Sequence, residues 1–129
     1  MIEFLIGRLK SFKFAFKGLA WVFTHEKNAQ FHLLATVVVL GISYLLDLST
    51  FEWLCIVIAI GIVLLSELLN TAIEKLADFV SQEQHPQIGI AKDVAAGAVL
   101  IATLTAVVIG LVIFTPKVLL LFSKIVLVN

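Results

Sequence analysis

The strongest constraint on this chain is an apolar run that carries an acid, Gly61-Ile-Val-Leu-Leu-Ser-Glu67-Leu-Leu-Asn70-Thr71-Ala-Ile-Glu74. Backbone amides in hydrocarbon have no water to bond, so such a stretch can cross a membrane only as a helix. A carboxylate inside it is costly unless it is paired or used, which makes Glu67 a functional-site candidate. Glu67, Asn70, Glu74 and Asp78 follow at spacings of three, four and four. At about 100° per residue, their side chains fall within roughly an 80° arc of one helix face.

The rest of the chain suits such a helix. Charged residues make up 14% and hydrophobic residues 61%, whereas a soluble domain carries roughly a quarter charged. The expected fold is therefore all-α and integral to a membrane, with residues 1–129 as a single membrane domain. The net charge is zero, and nucleic acid is not an expected partner. The lone Cys55 lies in an apolar run and cannot form an intrachain disulfide. A cleavable signal peptide is not expected, because no long apolar core with a small-residue cleavage site follows the basic N-terminus.

Residues 3–24 set Phe4, Leu5, Leu9, Phe12, Phe16, Leu19 and Phe23 against Arg8, Lys10, Lys13 and Lys17. This pattern predicts an amphipathic helix lying in the membrane interface. Three spans are then expected: residues 31–48, residues 53–79 with the last part a polar extension, and residues 94–114. The third has no charge and is long enough for roughly 30 Å of hydrocarbon. Its Gly97 and Gly110 are expected to permit close helix approach. Pro116 is expected to end it, leaving residues 116–129 as an interfacial or loosely packed tail. Basic residues cluster before span one and between spans two and three, so the N-terminus and the 75–92 connection are expected to be cytoplasmic.

The polar residues gather on that side. Glu26, Asn28, Gln30 and His32 stand at the entry to span one. Glu67, Asn70, Glu74 and Asp78 line span two and its extension. Glu83, His85, Lys92 and Asp93 occupy the connection and the mouth of span three. If the spans bundle, the three sets meet at one depth, as a reaction between a water-soluble and a membrane-embedded reagent requires. The bland readings are a helix-pairing amide for Asn70, a solvated face for Asp78, and a snorkelling anchor with a helix N-terminal charge for Lys92-Asp93. His32 and His85 have no partner at zinc-like spacing.

Three blocks carry a resemblance: Glu67-Leu-Leu-Asn70-Thr71-Ala72-Ile73-Glu74-x-x-x-Asp78, Glu83-x-His85-Pro86, and Ala91-Lys92-Asp93-Val94-Ala95-Ala96-Gly97. Together they resemble the prokaryotic diacylglycerol kinases, small integral-membrane lipid kinases, and the wording is closer to the branch that phosphorylates undecaprenol. The resemblance implies transfer of the γ-phosphate of ATP, with Mg²⁺, to the hydroxyl of a membrane lipid alcohol, either undecaprenol or diacylglycerol. It implies Glu67 as catalytic base, Glu26 and Glu74 as metal ligands, and Glu26, Glu74, Glu83, His85, Lys92 and Asp93 near the nucleotide. Asn70 and Asp78 take supporting places. Lys10, Lys13, Phe14 and Lys17 of the amphipathic helix form part of the lipid site. A homotrimer in the bacterial inner membrane, with a cytoplasmic site, is likewise implied.

The residues depart from the family pattern at three places. Arg8 lies one residue later than the usual arginine, Gln30 stands where an arginine is common, and Gln84 replaces an aromatic. None belongs to the acidic set. Two other classes fit the acid stripe alone. A small ion or proton transporter subunit predicts electrogenic flux without ATP. A scaffold whose acids pair with neighbouring helices predicts altered assembly without lost turnover.

Overall fold

The computed structural model of the chain describes residues 1–80 and 85–128. Helices α1 (Ile2–His25), α2 (Lys27–Leu45), α3 (Thr50–Val80) and α4 (Pro86–Val128) account for nearly all of them. The chain is all-helical, and three of these helices, α2, α3 and α4, are long and apolar enough to cross a membrane. Their outward faces carry large apolar side chains, among them Phe31, Val37, Ile58, Leu104 and Val112, each at least half exposed. A helical bundle that is apolar on the outside is matched to lipid rather than to water.

α1 and α2 are separated by a single extended residue, Glu26, at φ −102° and ψ 116°. Its N–H still donates to the Val22 carbonyl at 2.9 Å, and its carbonyl accepts from Gln30 N at 3.1 Å, so it ends one helix and begins the next. The Gln30 side chain reaches back across the break to the Thr24 carbonyl at 3.1 Å. No proline or glycine marks this corner. α2 therefore starts at Lys27, ahead of the apolar run expected at residue 31, and its first turn is polar.

The α2–α3 turn is built differently. Asp47 takes a positive φ of 49°, a conformation that aspartate tolerates better than most residues. Ser49 N donates to Glu52 Oε2 at 2.7 Å, and Glu52 N approaches Ser49 Oγ at 3.4 Å. This reciprocal capping box opens α3 by satisfying amides that otherwise have no helical partner. Leu48, Ile56 and Ile113 are buried beside it.

α3 and α4 pack along most of their shared length, α2 leans on α3, and α1 touches only α2 and α3. The buried face of α3 runs Ile56, Ala59, Val63, Glu67, Asn70 and Thr71. That face is apolar for its first turns and polar for its last. On α4, Ala95, Ala102 and Ile113 are buried.

Two expectations for α4 need correction. Pro116 does not end it: the helix continues to Val128, so residues 118–128 are helical, with 119–126 exposed. Proline removes one intrahelical hydrogen bond, and such a loss is tolerated in apolar helices whose neighbours hold the backbone in place. Here Lys117, the next residue, donates to the Asp47 carbonyl at 3.3 Å and pairs with Glu52 at 3.1 Å. Nor do Gly97 and Gly110 mediate close approach between helices of this chain. A Cβ at Gly97 meets nothing within 4 Å, and one at Gly110 meets only the ring of Phe114 on its own helix. The small buried side chains of α4 are those of Ala95 and Ala102.

Candidate active site at the Glu67 end of the bundle

Glu67 is 3% exposed and Asn70 5%. Glu74 is half-buried, and Asp78 is open to solvent. The face expected from spacing is thus a graded one, dry at Glu67 and wet at Asp78. Among the described residues nothing hydrogen-bonds the Glu67 carboxylate, although Glu74, Glu26 and the His32 ring all lie within electrostatic reach of it. Asn70 Nδ2 donates to Glu74 Oε1 at 3.0 Å. Its Oδ1 is buried with no partner among the described residues. Buried polar atoms are nearly always satisfied, so an orphaned amide oxygen beside an unpartnered carboxylate marks a place built for something else.

Glu26 reaches the same neighbourhood from the α1–α2 break. Its Oε1 accepts from Lys75 Nζ at 2.9 Å. Lys75 Nζ also stands 5.3 Å from the centre of the Trp21 ring, and that ring is stacked on His25 with centroids 4.9 Å apart. On the α4 side, Lys92 Nζ binds Asp78 Oδ1 at 2.9 Å. His85 precedes α4, where its Nδ1 accepts from Gln87 N at 3.3 Å. Asp93 is exposed, and Glu83 lies outside the described residues. Lys10, Lys13, Phe14 and Lys17 are all exposed on α1.

The structure therefore brings Glu26, Glu67, Asn70, Glu74 and His32 to one end of the bundle, with Asp78 and Lys92 at its wet edge. It adds Lys75 and Trp21, neither of which was expected at the site. The donors here are hard oxygens: the carboxylates of Glu26, Glu67 and Glu74 and the amide oxygen of Asn70. Such a set fits Mg²⁺, which takes one or two carboxylates and completes its shell with phosphate oxygens and water. Among the described residues no three His, Cys, Asp or Glu side chains are grouped to hold a metal by themselves.

An apolar groove of about 350 Å³ lies between α2, α3 and α4, and runs from His32 past Ala59 and Thr103 to Phe114. The Thr103 hydroxyl is buried without a partner among the described residues.

Membrane-length helices with an acid, an amide and two lysine–carboxylate pairs at one end define a multi-pass membrane protein with the makings of an acid–base site. A family model, prokaryotic diacylglycerol kinase, matches residues 13–114. The chain belongs to that family, and it is a lipid kinase. Undecaprenol kinase of Bacillus subtilis (strain 168) is 44% identical over 84% of this chain and 88% of its own length. Diacylglycerol kinase of Synechocystis sp. is 37% identical over 86% of this chain and 64% of its own length. Diacylglycerol kinase of Escherichia coli (strain K12) is 30% identical, over 78% and 82%. None of these relatives is named as a transporter, and the ion-pathway reading has no support.

Proposed function

We propose that this kinase transfers the γ-phosphate of Mg-ATP to the hydroxyl of a polyprenol such as undecaprenol, with Glu67 as general base. The observation that carries this reading is the buried Glu67 carboxylate, without a hydrogen-bond partner among the described residues, on the face that continues through Asn70 to the half-buried Glu74. A lipid alcohol is a poor nucleophile at neutral pH, and a positioned carboxylate accepts its proton as the oxygen attacks phosphorus. Glu67 sits at the dry end of the face, where a membrane-embedded hydroxyl arrives, and ATP stays at the wet end. The groove that begins at His32 gives the hydrocarbon tail a seat beside that hydroxyl.

Glu26 and Glu74 would hold the metal, with the Asn70 amide directing Glu74. When bound, Mg²⁺ neutralises phosphate charge and orients the γ-phosphoryl group. Lys92, with Asp78 as its support, adds a cation for developing phosphate charge. Glu83, His85 and Asp93 complete the nucleotide side. On α1, Lys10, Lys13 and Lys17 fall within roughly a 60° arc, and Phe12, Phe16, Leu19 and Phe23 within another about 120° away. That division supports an interfacial helix whose Lys10, Lys13, Phe14 and Lys17 meet lipid headgroups and their glycerol or prenyl neighbours. We place the Glu67 end in the cytoplasm of a bacterial inner membrane, following the basic residues near it. A homotrimer, as the family resemblance implies, would cover part of the apolar outer surface.

The choice of a polyprenol over diacylglycerol follows the higher identity to the undecaprenol kinase. Purified protein given labelled ATP and each lipid in matched micelles tests it. Faster phosphorylation of undecaprenol supports the reading, and a clear preference for diacylglycerol reverses it.

A further inference from the structure

Lys75 is held by two partners from a different part of the chain. Its ammonium pairs with Glu26 at 2.9 Å and lies over the Trp21 ring at 5.3 Å, yet its side chain is half exposed. An exposed ion pair of this kind adds little to stability. The surroundings make it more informative than that. Glu74 is the preceding residue, Asp78 lies one turn on, and both act electrostatically on Lys75. Lys92 is close enough to feel the charge of Lys75. Among the described residues, this end of the bundle therefore gathers the ammonium groups of Lys75 and Lys92 and the carboxylates of Glu26, Glu67, Glu74 and Asp78, a surplus of two negative charges before any ligand arrives.

We propose that Lys75 is a phosphate-positioning residue, kept in place by Glu26 and Trp21 until nucleotide arrives and then transferred from the Glu26 carboxylate to a phosphate oxygen. The inference rests on the reading of Glu26 and Glu74 as the carboxylates that hold the metal. A divalent cation held by Glu26 would repel an ammonium in contact with the same carboxylate. Cation binding at Glu26 would thus favour Lys75 leaving that carboxylate. The polyphosphate that accompanies the cation supplies the nearest new anion, and a half-exposed lysine on a flexible stem can turn to it. The Trp21 face holds the ammonium near the site during the exchange, because its attraction to a cation does not depend on Glu26. A divalent ion held here would cancel the negative surplus of the cluster and so lower its repulsion of a polyanion.

The test uses the full chain in micelles, with Trp53→Phe so that Trp21 is the sole tryptophan, and the non-hydrolysable nucleotide Mg-AMP-PCP as probe. In the Lys75-containing protein, Mg-AMP-PCP should change Trp21 emission as the ammonium leaves Glu26. Lys75→Met should weaken binding, measured by calorimetry, by on the order of tenfold, as expected for loss of a charge-assisted contact. Lys75→Arg should recover most of it, and the KM for the lipid should stay unchanged while the KM for ATP rises. Equal or tighter Mg-AMP-PCP binding by Lys75→Met, with native helical content, overturns the proposal, since a lysine that merely competes for Glu26 predicts that result. Glu74→Gln separates the two layers. If it retains full binding, the metal assignment fails. If it loses binding while Lys75→Met does not, only the role of Lys75 fails.

Discussion

Both ends of the bundle are tied by lysine–carboxylate pairs, and the two ends are finished in opposite ways. At the α2–α3 turn, Lys117 meets Glu52 and the Asp47 carbonyl, Glu52 also caps α3 through Ser49, and Leu48, Ile56 and Ile113 close over the junction. At the other end, the lysines hold the outer acids, Glu26 and Asp78, while the deepest polar atoms go unanswered. Glu67 has no hydrogen-bond partner among the described residues, and Asn70 Oδ1 is orphaned. Leaving buried polar groups unpaired costs about 1–3 kcal/mol each. One end spends its polar groups on holding helices together, and the other keeps them available for a ligand.

Substitutions can break or sharpen that contrast. Glu67→Gln should lower turnover by roughly 10²–10⁴-fold, the usual contribution of a general base, in assays of phosphate transfer to lipid. Glu74→Gln should cost less than that at saturating Mg²⁺, with a raised Mg²⁺ requirement visible in a metal titration. Ile56→Ala, at the opposite end, should destabilise the fold by about 2–4 kcal/mol through the cavity it leaves. Folded Ile56→Ala protein should still turn over. Glu52→Gln should lower the thermal unfolding midpoint modestly, because it weakens both the cap and the Lys117 bridge, with little change in turnover per folded molecule. The smallest effect belongs to Thr103→Val, which replaces an unpartnered hydroxyl by a methyl of similar shape. It should leave the midpoint unchanged or slightly raised. A strong loss of turnover in Glu52→Gln at full folding would erase the distinction between the two ends.

Periodicity made the Glu67 face readable, because residues spaced by three and four share a helix face whatever the tertiary structure. The three apolar helices were readable for the same kind of reason: hydrocarbon demands length and hydropathy that show in one dimension. The Ser49-x-x-Glu52 box is also a local signal. Contacts between distant segments are not. Lys75 reads as a topology-setting charge until α1 brings Glu26 and Trp21 to it, and nothing local to Lys117 announces its contact with the α2–α3 turn. The corner at Glu26 has no proline or glycine to announce it. Pro116 misleads in the opposite sense, since a bridge at Lys117 supports the helix beyond it. The glycines of α4 suggest close packing, yet Ala95 and Ala102 provide the buried small surface.

The most direct test of the account is phosphate transfer from ATP to undecaprenol by Glu67→Gln, scaled to the amount of folded protein by its thermal unfolding signal. The variant should be at least as stable as the parent, because a buried carboxylate without a partner among the described residues has been made neutral, and nearly devoid of turnover. Undiminished turnover in a well-folded Glu67→Gln protein would contradict it.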